Sequence, residues 1–214
     1  MSYPDFIAKV YQSERLVYRA LEDNAEDRQW LAENLLNDPT DSMLRTWHLP
    51  KPRSASAVQI YYEYSKSSLV DVLICLPPSI DSDISQEPDA KPKPTPIGHI
   101  SLFGGAASRD TAHHRNATIG VSITAPYRGK GYGGEAINWA VDWGFRRAGL
   151  HRISIAAFSF NTAALGLYRK LGFKDEGRER ETVLFDRQWH DAVSLGMLEQ
   201  EWEELRGIKG SSGV

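Results

Sequence analysis

The 214-residue chain has a single cysteine, Cys75, so no disulfide can form within it, and a small disulfide-stapled secreted scaffold is excluded. Cys75 lies in the apolar run "LVDVLICL" and reads as core rather than nucleophile. No stretch approaches the ~18 consecutive apolar residues of a membrane helix. The opening "MSYPDFIAKVYQSERL" mixes charge among its apolar residues, unlike a secretory leader. Excess positive charge is missing too. The net charge is −3 and no basic run appears, which gives no footing for a nucleic-acid or anionic-membrane partner. Repeats and coiled-coil heptads are absent. What remains is the expectation of a cytoplasmic globular protein. Its length suits one domain over 1–214, enough to bury roughly 70% of the unfolded surface.

What is present has a clear order. "RLVYRAL" alternates as a strand, and "EDNAEDRQWLAENLL" places Trp30, Leu31, Leu35 and Leu36 at helical spacing. "SAVQIYYEYSKS" reads as a second helix and "LVDVLICL" as a strand. Residues 77–96 hold six of the eleven prolines among Ser, Asp and Lys. No packed element persists in such a composition, so the stretch reads as a flexible insertion, with a substrate-covering lid as the second reading. "PIGHISLFG" and "NATIGVSIT" are two further strands. A helix follows with Ile137, Ala140, Val141, Phe145 and Ala148 on one stripe, then the strand "HRISIAAF" and the helix "NTAALGLYRKLG". A hairpin, "ETVLF" and "WHDAVSLGML" around "DRQ", closes the domain. The expected class is α/β, a mixed sheet of about seven strands covered by four helices.

Glycine weakens helices, yet four of the six residues from Gly129 to Gly134 are glycine, directly before a long helix. A Walker loop needs Ser or Thr after Gly-Lys, but Lys130 is followed by Gly131. Gly129, Gly131 and Gly134 satisfy G-x-G-x-x-G, but "TAPY" separates them from the strand and "RISIAAF" supplies no acid. A run of bare N–H groups at a helix start, flanked by Arg128 and Lys130, is an anion site suited to a pyrophosphate.

The motif Arg128-Gly129-Lys130-Gly131-Tyr132-Gly133, with Gly134 behind it, resembles the acetyl-CoA pyrophosphate loop of the GNAT superfamily of acyl-CoA-dependent N-acetyltransferases. The segment "FNTAALGLYRKLGFKDEGRERE" is similar to that family's later signature through Asn161, Tyr168, Leu171, Gly172 and Phe173. "SERLVYRALEDNAEDRQWL", with Asp38-Pro39 beyond it, resembles the ribosomal-protein N-terminal acetyltransferase-like branch. The resemblance spans about 14–198.

It implies acetyl-CoA as co-substrate, no metal, and a primary amine as acceptor, either a small molecule or a peptide N-terminus, in a monomer or homodimer. It further implies that backbone groups of Val121, Ser122 and Ile123 meet pantetheine, that Asn161 touches the cofactor, and that Tyr168 is the general acid for the departing thiolate. A phenol with a pKa near 10 keeps its proton at neutral pH, which suits that role. Thr118 stands where the branch often has a glutamate base. His99, His113 and His114 lie nearby in sequence, but no base is assigned. Without one, acceptors with a low amine pKa are expected to outrun lysine side chains. The acceptor cleft is expected to draw on Trp47, Tyr61, Tyr62, Phe185 and Trp189. A non-catalytic acyl-CoA-binding or sensing module stays open as the alternative.

Overall fold

The computed structural model describes residues 9–78 and 93–208. One seven-stranded sheet runs through them in the order β1-β2-β3-β4-β5-β7-β6. The strands are β1 Val17–Ala20, β2 Val70–Leu76, β3 Thr95–Phe103, β4 Asn116–Ile123, β5 Arg152–Phe158, β6 Lys174–Phe185 and β7 Gln188–Leu198. Every neighbouring pair is antiparallel except β4 and β5. Six α-helices accompany them: α1 Ala25–Leu31, continued by a π-helical turn over Ala32–Leu36, α2 Pro39–Arg45, α3 Ala55–Ser65, α4 Tyr132–Arg146, α5 Thr162–Lys170 and α6 Glu199–Arg206.

Two helices are therefore added to the expected four. α2 is short, but its start is chemically explicit: Asp38 caps it by accepting from the Thr40 and Asp41 N–H groups, and Pro39 occupies the first turn, where no N–H is needed. α6 lies past the segment that the resemblance spanned. Its Trp202 is buried against Phe145, and its indole N–H donates to Asp142 Oδ1 at 2.7 Å.

β6 begins well before "ETVLF". Its charged first half, "KDEGRER", is exposed on the edge of the sheet, where charge discourages pairing with other chains. The β6–β7 turn is two residues long, and both Asp186 and Arg187 have positive φ, the backbone that tight hairpins favour. Most of the proline-rich stretch lies outside the described residues. Its last two residues, Thr95 and Pro96, instead open β3. Pro96 sits opposite Cys75 beside a register shift, a place where a residue without an N–H is tolerated.

The sheet has two unlike faces. On one, Ile100, Leu102, Ile119, Ile153, Ile155, Val193 and Leu195 pack with Ile137, Ala140 and Val141 of α4 and Leu165 of α5. Each such side chain contributes about 1.5–3 kcal/mol when fully buried, and truncating Ile100 to Ala would cost about 2–5 kcal/mol. On the other face Asp71, His99, Ser101, Ser122, Thr118 and Ser154 follow one another across neighbouring strands. α2 and α3 cover part of this polar face: Ser122 Oγ donates to Asp41 Oδ1, and the Tyr61 ring meets the His99 ring edge-on at 5.9 Å. The candidate site is a cavity lined by residues of both faces.

Candidate active site

β4 and β5 pair only from Asn116↔Arg152 to Thr118↔Ser154. Beyond that rung β4 continues to Ile123 and β5 to Phe158 with no ladder between them. The sheet opens here like a fork, and the side chain of Thr118 meets Ser154 Oγ at 2.9 Å at its apex. β3 covers the other edge of β4. The Thr124 N–H donates to Ile97 O, and the antiparallel register runs unbroken from there. Alternate peptide groups therefore turn toward β3, and those of Ile119, Val121 and Ile123 turn into the fork. Ile123 O accepts from Arg128 Nε at 2.7 Å, whereas the N–H and C=O of Val121 have no backbone partner among the described residues.

A cavity of about 850 Å³ occupies the fork and runs to the glycine loop. The four glycines there have different reasons to be glycine. Gly129 and Gly131 hold φ of +74° and +84°, a left-handed backbone that other residues adopt at a cost. An added Cβ at Gly134 would stand 3.2 Å from Leu167 Cδ1, so this residue lets α4 approach α5. Gly133 has ordinary room, with Ile123 Cγ1 at 3.6 Å. Gly131 caps α4 without any side-chain hydrogen bond, which leaves first-turn N–H groups turned outward.

The cations divide less evenly than the sequence suggests. Arg128 is committed, since its guanidinium also reaches Asp38 Oδ2 at 3.3 Å. Lys130 is exposed, with Nζ 5.4 Å from the Tyr127 ring centre. Sequence reasoning missed Arg15. Its guanidinium stacks on Tyr132 at 4.7 Å and donates to Lys130 O at 3.1 Å. Glu135 holds it there, accepting from Arg15 Nε at 2.8 Å and from its N–H at 2.7 Å. Nothing in sequence spacing links Arg15 to Glu135; the fold brings them together.

Asn161 caps α5, its Oδ1 accepting from the Ala164 N–H at 3.2 Å, and it lines the cavity together with Tyr168. The Tyr168 phenol is pushed up to about 12 by burial. Trp47, Tyr61 and Tyr64 line the cavity wall, and Trp47 meets Phe158 edge-on at 5.1 Å. Tyr62, Phe185 and Trp189 do not line this cavity: Tyr62 is buried under Arg28 and Lys66, and Phe185 stacks on Phe160. His113 and His114 sit together on an exposed turn outside it. His99 does line the cavity, with Nε2 2.8 Å from Asp71 Oδ1. Among the described residues no group of three or more His, Cys, Asp or Glu is arranged to hold a metal ion, and no helix is long and apolar enough to cross a membrane.

A sheet forked between two parallel strands, with a bare helix start lining the same cavity, is the architecture these residues build. The chain belongs to the acetyltransferase (GNAT) domain family, whose model matches residues 15–174. Among curated proteins it is similar to the prophage-derived N-acetyltransferase YokL of Bacillus subtilis, 31% identical over 95 residues, or 44% of this chain and 54% of that protein. It is also similar to the ribosomal protein uS5-alanine N-acetyltransferase of Escherichia coli, 32% identical over 84 residues, or 39% and 43%. The chain thus spans about half the length of the curated relatives it matches. In fold it matches the spermidine N-acetyltransferase of Vibrio cholerae solved with CoA and spermine, with a TM-score of 0.68, 22% identity, and 89% of this chain and 99% of that one covered.

Proposed function

We propose that the protein is an acetyl-CoA-dependent N-acetyltransferase that moves an acetyl group to a primary amine, either a small molecule or a peptide N-terminus. The observation that carries this reading is the free edge of β4 at Val121, inside the fork and lining the same cavity as the start of α4. Pantetheine has the spacing of an extended chain, so its amides can pair with Val121 as a partial strand. Val121, Ser122 and Ile123 then position the thioester, and one backbone N–H of this stretch polarises its carbonyl as an oxyanion hole does. The N–H groups from Gly129 to Gly134 receive the pyrophosphate, with Lys130 and Arg15 as nearby positive charge. Arg128 serves the same end indirectly, fixing Ile123 O and the loop. Asn161 has committed Oδ1 to its cap, so its amide N–H groups are the part left for the ligand.

Tyr168 acts as general acid. A burial-raised phenol is a weak donor in water, but a thiolate released into the same apolar wall is raised by the same desolvation, so the proton transfer stays feasible. The named relatives act on spermidine and on a ribosomal-protein alanine, which supports amines of both kinds as acceptors here. A cytoplasmic setting, where acetyl-CoA is available, belongs to the same reading.

The test is thiol release from acetyl-CoA with a panel of polyamines, amino sugars, free lysine and peptides bearing N-terminal Ala or Ser. Release that requires an amine supports acetyl transfer. Tight acetyl-CoA binding without release over the whole panel would favour the non-catalytic acyl-CoA-binding reading.

A further inference from the structure

The geometry points to His99 as the general base that deprotonates the acceptor amine, with Asp71 as its positioning residue. The inference rests on the acetyl-transfer reading and supplies the step that Thr118 cannot, its hydroxyl being tied to Ser154. His99 lies on β3 directly across from Ser122 of β4, at the fork and on the face where α2 and α3 frame the acceptor side. Its ring nitrogen Nε2 is 2.8 Å from Asp71 Oδ1. A carboxylate only accepts, so this contact assigns the proton to Nε2 and leaves Nδ1 with its lone pair. Nδ1 has no hydrogen-bond partner among the described residues. No fully buried side-chain nitrogen or oxygen among them lacks one either, so Nδ1 is not sealed off although the residue is only 3% exposed, and His99 lines the cavity.

Competing bases are occupied. Asp41 lines the same cavity, but Oδ1 accepts from Ser122 and Oδ2 from Arg45 at 2.8 Å. Asp71 of β2 and Tyr61 of α3 contact His99, and Tyr64 of α3 and Asp41 with Arg45 of α2 line the same cavity. The Tyr61 phenol is raised well above its ordinary value, chiefly by burial, and does not compete for the proton at neutral pH. Asp71 stabilises the imidazolium that forms, as a carboxylate does behind any histidine base.

The acceptor ammonium gives one proton to Nδ1. The neutral nitrogen forms a bond to the thioester carbonyl carbon, and the carbon–sulfur bond breaks with its electron pair on sulfur. Sulfur takes the Tyr168 proton, the second nitrogen proton returns to the phenolate, and His99 releases its proton to water. The net products are amide, CoA thiol and one proton.

The experiment compares kcat/KM against pH for wild type, His99→Gln and Asp71→Asn, using one acceptor with an amine pKa near 10 and one with a pKa below 7. Wild type should keep most of its kcat/KM with the high-pKa acceptor at pH values well below the amine pKa. His99→Gln should lose about 10²- to 10⁴-fold with that acceptor at pH 7 and rise with slope one up to the amine pKa. With the low-pKa acceptor, already neutral, it should keep its rate. Asp71→Asn, which retains the imidazole, should show the same change in profile with a smaller drop, and it decides the matter if His99→Gln fails to bind acetyl-CoA in calorimetry. Unchanged profiles overturn the assignment, as does an equal loss with both acceptors, which would mark a structural role. No thiol release by wild type with any amine would instead overturn the acetyl-transfer reading itself, and this assignment with it.

Discussion

The side-chain oxygens of Thr118 and Ser154 lie 2.9 Å apart across the last rung that joins β4 to β5. Ser154 Oγ also donates to Ala117 O at 3.3 Å, so the two hydroxyls and one carbonyl stitch the apex of the fork. Thr118→Val should remove one link, cost about 0.5–1.5 kcal/mol in denaturant unfolding, and weaken acetyl-CoA binding in calorimetry. Thr118→Ser should restore both, since it keeps the hydroxyl. Identical behaviour of the two variants would show that the apex is held by the backbone ladder alone.

The glycine loop calls for unequal substitutions. At Gly131 the φ of +84° strains any side chain, so Gly131→Ala should lower the melting temperature as well as acetyl-CoA affinity. Gly133→Val places its bulk at the helix start, where a Cβ meets only Ile123 at ordinary distance. It should leave the melting temperature nearly unchanged while weakening acetyl-CoA. Full affinity in the Gly133 variant would move the pyrophosphate elsewhere.

Tyr168→Phe keeps the ring against Phe173 and removes only the hydroxyl. Turnover should fall by about 10²- to 10⁴-fold, with little change in the acetyl-CoA KM. Steady-state kinetics with a saturating amine measures both, and undiminished turnover under conditions where chemistry limits the rate would reduce Tyr168 to packing.

Asp27 supplies a pH prediction remote from the site. Burial alone would raise this carboxyl, but the Arg19 fork at 2.6 and 2.7 Å and the Glu22 N–H at 2.8 Å hold it below the ordinary carboxylate value. A depressed carboxyl adds stability above its unfolded pKa near 3.9, and that stability is lost as pH falls through the lower folded pKa. Asp27→Asn should therefore destabilise by about 1.5–3 kcal/mol at neutral pH. The gap from wild type should stay constant above about pH 5 and close in stronger acid. Urea unfolding at several pH values gives the comparison.

Strands and helices with a strong period were legible in the sequence because each writes its own burial pattern locally: β3, β4, α4 and α5 all lie where the apolar spacing puts them. The glycine loop was legible for a different reason, since only an unusual backbone calls for so many glycines. β6 was half missed because an exposed, charged edge strand carries no apolar alternation. The proposed pairing of His99 with Asp71 had no local signal. His99 and Asp71 are 28 positions apart with the proline-rich stretch between them, and only the register of β2 on β3 makes them partners. Arg15 and Glu135, 120 positions apart, repeat the lesson at the loop.

Cys75 gives the fold a built-in clock. The chain's only thiol is fully buried in β2, and burial pushes it up to about 11. While β2 stays in the sheet, an alkylating reagent meets neither an accessible sulfur nor a thiolate. Each opening returns the thiol to a pKa near 8.5 and exposes it. When reclosing outpaces labelling, the labelling rate at fixed pH counts the fraction of molecules in which the strand is open. A ligand held between β4 and α4 should slow that count by the factor 1 + [ligand]/Kd if release of β2 requires the whole sheet to come apart, and should leave it unchanged if the strand detaches by itself.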